Sequence, residues 1–172
     1  LIIFCLIFQC SILFSQEQVI HQQTKNGNLE GTLLVPTSIN KIPLVVIISG
    51  SGPTDRNGNQ DELENNSLKL IADTLFCRGI ASFRFDKRGI GASKSAATSE
   101  RELRFEDFVN DVKNWITLTS TDKRFSKIFV AGHSEGSLIG ILASENNKKV
   151  EGFISIAGPG CPADEVLKEQ LA

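Results

Sequence analysis

Histidine is scarce in this chain. There are two in 172 residues, His21 and His133, so a histidine base for acid–base chemistry has only these to come from. Cysteine is nearly as limiting. Of the four present, Cys5 and Cys10 lie in the first ten residues, and the remaining pair, Cys77 and Cys161, is too few for a disulfide framework. Cys77 reads as a small core hydrophobe, and Cys161 as an exposed turn thiol. Proline numbers five, and no Pro-rich linker, internal repeat or low-complexity run divides the chain. The net charge is only −2, which argues against nucleic acid as a partner. Long apolar runs are missing too, apart from Leu1–Phe14, which is short for a membrane span.

That one run has the character of a secretory h-region. With no initiator methionine or basic flank ahead of it, the chain reads as truncated at its start. Cleavage after the small Ser15 gives a signal segment 1–15, a polar leader 16–28 and an exported protein with no stable membrane span. The rival is lipid attachment at Cys10, disfavoured by the bulky Gln9 before it.

What the remaining sequence does contain is Gly132-His133-Ser134-Glu135-Gly136. An apolar, β-prone segment, Lys127–Ala131, precedes it, and Ser137–Ser144 follows with the look of a buried helix. Strand, Gly-x-Ser-x-Gly, helix is the setting in which this pattern carries meaning. By chance alone the pentapeptide arises in a chain this long with a probability of roughly 0.05. The bland alternative is a glycine-rich turn whose serine only caps the helix. In the catalytic reading, the tight turn strains Ser134 and lifts its hydroxyl above the sheet at a helix N-terminus.

A second feature supports the catalytic reading. The strand Pro43–Ile48 ends in Ser49-Gly50-Ser51-Gly52-Pro53, a turn able to present backbone N–H groups beside the elbow. Acyl transfer needs such donors for its oxyanion. One would be the N–H of Glu135, and the other that of Ser51 or, one residue on, Gly52. The Glu135 carboxylate is expected in solvent, with no part in catalysis.

Elsewhere, Asn28–Val35 reads as a strand of an opening hairpin. Leu68, Ile71, Ala72, Leu75 and Phe76 recur at helical spacing up to Gly79. Ile80–Phe85 reads as a strand, Phe105 to Ile116 as an amphipathic helix in which Trp115 packs, and Val150–Ala157 as a strand. Alternating strands and helices imply an α/β fold: a mostly parallel sheet with helices on both faces and a ligand site beyond the strands' carboxyl ends.

Three patterns imitate other chemistries. Asp55–Asp61 begins like a calcium loop but has Gln60 and Asn66 where glycine and glutamate belong. Gly89–Ser95 imitates a phosphate loop with Ser93 in place of its last glycine. Ser120-Thr121-Asp122-Lys123 has Ser-x-x-Lys spacing without companion motifs. None calls for a cofactor or metal. Asp86, Lys87 and Arg88 read as ion-paired loop support rather than catalytic groups, with a role near the substrate as the alternative.

The order Ser49–Pro53, then Arg84-Phe85-Asp86-Lys87-Arg88-Gly89-Ile90-Gly91, then the elbow resembles the α/β-hydrolase superfamily. It is most similar to bacterial carboxylesterases grouped with serine aminopeptidases and dienelactone-hydrolase-like proteins. Phe85 stands at the family's tyrosine, and Ser137 at its second elbow glycine. The resemblance implies a serine hydrolase for ester or related acyl substrates, with a peptidase or thioesterase as alternative. It also implies the order serine, acid, histidine. His21 and His133 both precede Ser134, His133 being expected to project away from the hydroxyl into the packing beneath the turn, and Asp164 follows an earlier strand than the family's acid does. Residues 29–172 are therefore expected to be the N-terminal part of such a domain, ending soon after the strand that follows the nucleophile helix. A non-catalytic relative that lost its base is the reading from another class.

Overall fold

The computed structural model describes residues 17–97, 99–161, 165 and 168. The apolar segment Leu1–Ser15, both of its cysteines, Gln16 and Asp164 lie outside the described residues.

Alternation of inward side chains builds the centre of the molecule. β3 (Ile42–Ile48) has Val45 and Ile47 on one face, in a cluster with Leu68 and Ala72 of α1 (Ser67–Cys77). Leu44, Val46 and Ile48 belong to a second cluster on the opposite face. There they meet Val112, Trp115 and Ile116 of α2 (Phe105–Thr119), with Ile139 and Ala143 of α3 (Glu135–Ser144). A period of two in a strand covered on both sides needs an unbroken apolar run, and Leu44–Ile48 supplies it. Trp115 is fully buried, its ring 4.7 Å from that of Phe83. Packing is thus the role of the single tryptophan.

With β1 (Glu17–Gln23), β2 (Asn28–Leu34), β4 (Ala81–Phe85), β5 (Phe125–His133) and β6 (Val150–Ile156), one sheet forms in the order β1-β2-β4-β3-β5-β6. β1 and β2 are antiparallel to their neighbours, whereas β4, β3, β5 and β6 run parallel. From β3 the chain passes through α1 to β4 on one side, then through α2 to β5 on the other. Connections over opposite faces part between β3 and β5, leaving a crevice beyond their carboxyl ends.

β1 departs from expectation. Residues 16–28 were assigned to a polar leader, yet Glu17–Gln23 is an edge strand in full register with β2. It is mostly exposed, so its backbone pairing with β2 holds it in place. Glu17 also pairs at 2.7 Å with Arg84, whose guanidinium is buried. Burial pushes the Arg84 pKa below its ordinary value, and Glu17 opposes that. Cys77 is a second departure: it is exposed at the end of α1 rather than a core residue. Gly79 does stop that helix, at a left-handed φ of 75° that favours glycine.

Candidate active site

The turn from β5 into α3 gives Ser134 φ 52° and ψ −120°, a combination that L-residues avoid. Holding it costs about 1–3 kcal/mol, so the surroundings must impose it. They do so by close approach of backbone. A Cβ on Gly132 would lie 2.1 Å from the Gly136 carbonyl oxygen, and one on Gly136 would lie 2.6 Å from those of Ile48 and Ser49. The Ser134 N–H donates to Ile156 O at 2.9 Å, tying the elbow to β6. Ser137, at the second elbow-glycine position, donates its hydroxyl to Gly132 O at 2.5 Å and closes the turn.

β3 and β5 are parallel neighbours, with Ile48 opposite Gly132. Their ends therefore meet. A Cβ on Gly50 would stand 3.3 Å from Ser134 Cβ. Ser51, Ser134, Thr54, Gln60 and His133 line one cavity of about 230 Å³. Glu135 is the first residue of α3, where an N–H has no acceptor within the helix. The structure thus brings Ser51 and Ser134 to one cavity, with Glu135 next to Ser134 at the start of α3.

Two side chains are not where the sequence suggested. His133 was expected in the packing beneath the turn, but it is exposed and lines the cavity. The Glu135 carboxylate, expected in solvent, is paired with Lys87 at 3.2 Å. His21 lies on β1, with three strands, β2, β4 and β3, between it and β5 in the sheet order. At sheet spacing that is roughly 19 Å from the β5 strand.

Asp86, Lys87 and Arg88 are ion-paired loop support, as expected. Asp86 accepts the Arg56 N–H at 2.7 Å, an Arg56 guanidinium N–H at 2.6 Å and the Ala92 N–H at 2.9 Å. Arg88 donates two bonds to buried Asp111, at 2.6 and 2.7 Å. Burial holds the Asp111 carboxyl above its ordinary pKa, with Arg88 opposing. Burial likewise lowers the Lys87 pKa against the pull of Glu135. Removing Asp86 would leave the largely buried Arg56 guanidinium with one carboxylate fewer, on Glu30. Asp86→Ala should cost about 3 kcal/mol, read as a lower urea midpoint at unchanged slope.

The imitators have structural roles. Asp55 accepts the N–H groups of Asn57 and Asn59, both at 2.8 Å, shaping its own loop. Ser93 is buried and accepts the Glu30 N–H at 2.9 Å.

A family model described as serine aminopeptidase, S33, matches residues 64–169, a span that holds the β4 loop and the whole elbow. The chain belongs to this hydrolase family. Esterase EstD of Thermotoga maritima is 34% identical over 152 residues, covering 86% of this chain and 34% of that protein. The chain thus spans about a third of the length of the curated relative it matches. Among solved structures, the α/β hydrolase GrgF from Penicillium sp. sh18 aligns with a TM-score of 0.66 at 20% identity, over 91% of this chain and 51% of that one. XC6422 of Xanthomonas campestris, an α/β serine hydrolase without a lid, aligns at 0.63 and 20% identity, over 84% and 62%. These likenesses carry the α/β-hydrolase fold.

The reach of Lys87 to the Gly50 carbonyl and of Arg56 to Asp86 was not foreseen. The sequence offers only an Asp-Lys-Arg run and a polar loop, with no sign of which backbone atoms they meet.

Proposed function

We propose that the full-length protein is a serine hydrolase of carboxylic esters or related acyl compounds, acting through an acyl-enzyme on Ser134. The observation that carries this reading is the left-handed backbone of Ser134 between two glycines that admit no Cβ. Strain of this kind persists where a site uses it. A base takes the Ser134 hydroxyl proton, to return it later to the leaving alcohol, as the serine oxygen attacks the acyl carbon and the carbonyl electrons move onto the carbonyl oxygen. The N–H groups of Ser51 and Glu135 receive that charge. Collapse re-forms the carbonyl and expels the alcohol, which takes a proton. Water then releases the acid by the same route. Esters are favoured over amides because an esterase is the curated relative.

Neither histidine of this chain is well placed as base. His133 adjoins the nucleophile along the chain, and His21 belongs to the far edge. The base and its orienting acid are assigned to the part of the relatives' length that this chain does not span.

A serine-directed fluorophosphonate should label the full-length protein on the peptide containing Ser134, and a short-chain aryl ester should be turned over. Label on another residue would remove the assignment. Faster turnover of aminoacyl arylamides than of esters would favour the peptidase reading.

Export is proposed as well. Cleavage after Ser15 keeps Glu17 available to Arg84, whereas a cut beyond Glu17 would strip a buried guanidinium of its counterion. N-terminal sequencing of the secreted protein should find Gln16 first. An intact Leu1–Phe14 on a cytosolic product would refute export.

A further inference from the structure

Lys87 is only 5% exposed, an uncommon place for a lysine. Its ammonium donates to Gly50 O at 2.5 Å and to the Glu135 carboxylate at 3.2 Å, and it lies 5.7 Å from the centre of the Phe108 ring. Burying such a cation costs several kcal/mol unless partners compensate. Those partners come from the turn after β3, the first residue of α3 and the face of α2. One side chain therefore joins both segments that carry the proposed oxyanion donors.

Gly50 O and the Ser51 N–H belong to the same peptide unit. The described peptides are trans, so this carbonyl and N–H point in opposite directions. Lys87 lines a cavity of about 690 Å³ on one side of the turn, with Gly52, Pro53 and Glu135. Ser51 and Ser134 line the 230 Å³ cavity, of which Lys87 is no part. A carbonyl held toward the lysine thus aims its partner N–H toward the serine side. The next peptide is pinned independently: Thr54 Oγ1 donates to Ser51 O at 2.8 Å and accepts from Gln60 Nε2 at 2.8 Å.

We propose that Lys87 is a positioning residue for the oxyanion site, fixing and polarising the Gly50–Ser51 peptide so that the Ser51 N–H meets the developing charge. This rests on the serine-hydrolase reading above. A cation on the carbonyl draws electron density from the N–H and strengthens it as a donor. Because the oxyanion exists only after attack, the benefit falls on the transition state and not on substrate binding.

The test compares wild type, Lys87→Met, Lys87→Arg and Ser134→Ala in the full-length protein. Readouts are kcat and KM on a short-chain aryl ester, and Ki for an alkylboronic acid that becomes a tetrahedral anion on the serine. Lys87→Met should lower kcat by about 10–100-fold with KM within about 3-fold, and raise the boronate Ki by the same factor as kcat falls. Lys87→Arg, which keeps a charged donor, should recover to within about 5-fold of wild type. Unchanged kcat in Lys87→Met, or a loss confined to KM, overturns the inference. Should Lys87→Met fail to fold, Lys87→Arg decides, since any loss it shows must appear equally in kcat and boronate Ki. Ser134→Ala separates the two levels. An inactive Ser134→Ala beside a normal Lys87→Met refutes Lys87 alone, whereas an active Ser134→Ala takes the serine reading and this inference down together.

Discussion

Substituting Ser134 by alanine in the full-length protein should lower kcat/KM on a short-chain aryl ester by about 10⁴-fold or more. That corresponds to at least about 5 kcal/mol of transition-state stabilisation. The fold should survive, because none of the elbow's closing bonds uses the Ser134 hydroxyl. The Ser134 N–H to Ile156 O bond and the Ser137 N–H to Ser134 O bond, both 2.9 Å, are main-chain contacts that alanine keeps. Alanine meets the same backbone strain as serine, so the melting temperature should stay within about 4 °C of wild type. Residual turnover would come from binding and the oxyanion donors. Ser51, Thr54 and Ser67 also line the 230 Å³ cavity. A variant that keeps wild-type turnover with an intact fold would move the nucleophile to one of them or elsewhere.

The parallel centre of the sheet was legible because its strands are largely apolar and bounded by turns. β3 and β5 leave little room for another reading, and the Gly-x-Ser-x-Gly between β5 and α3 marks the elbow. β1 was not legible for a physical reason. Glu17–Gln23 is polar and exposed along most of its length, so no hydrophobic period announces a strand held by backbone pairing. Cys77 was misjudged because it sits on the outer side of the last turn of α1, where Leu75 and Phe76 make the contact with the core and the thiol is exposed. His133 ends β5 just before α3 begins, where its ring reaches the cavity instead of the packing below. The Lys87 contacts were invisible because they join residues 37 and 48 positions apart, a proximity that only the sheet order creates. Local pattern located the nucleophile. The groups that would tune it depend on tertiary neighbours.

The largest stability effect should come from Gly132→Ala. Its added Cβ would sit 2.1 Å from Gly136 O, 2.4 Å from Gly136 C and 2.6 Å from Ser137 N. All three are backbone atoms of α3, so no side chain can rotate aside. Relief requires the N-terminus of α3 to lift from β5, which breaks the 2.5 Å bond from Ser137 to Gly132 O. It also pulls Gly136 from its seat against the carbonyls of Ile48 and Ser49. Overpacking against fixed backbone belongs with the most damaging point changes, at about 4 kcal/mol or more. For a domain of ordinary stability that is a large share of the total. Gly132→Ala should therefore reach the insoluble fraction, or show a urea midpoint far below wild type, and any folded remainder should lack fluorophosphonate labelling. Gly160→Ala is the matched control, because a Cβ there meets nothing within 4 Å. It should stay within about 0.5 kcal/mol of wild type. A Gly132→Ala protein that folds and labels normally would mean that β5 and α3 are not packed backbone to backbone, and the strained geometry assigned to Ser134 would fall with that contact.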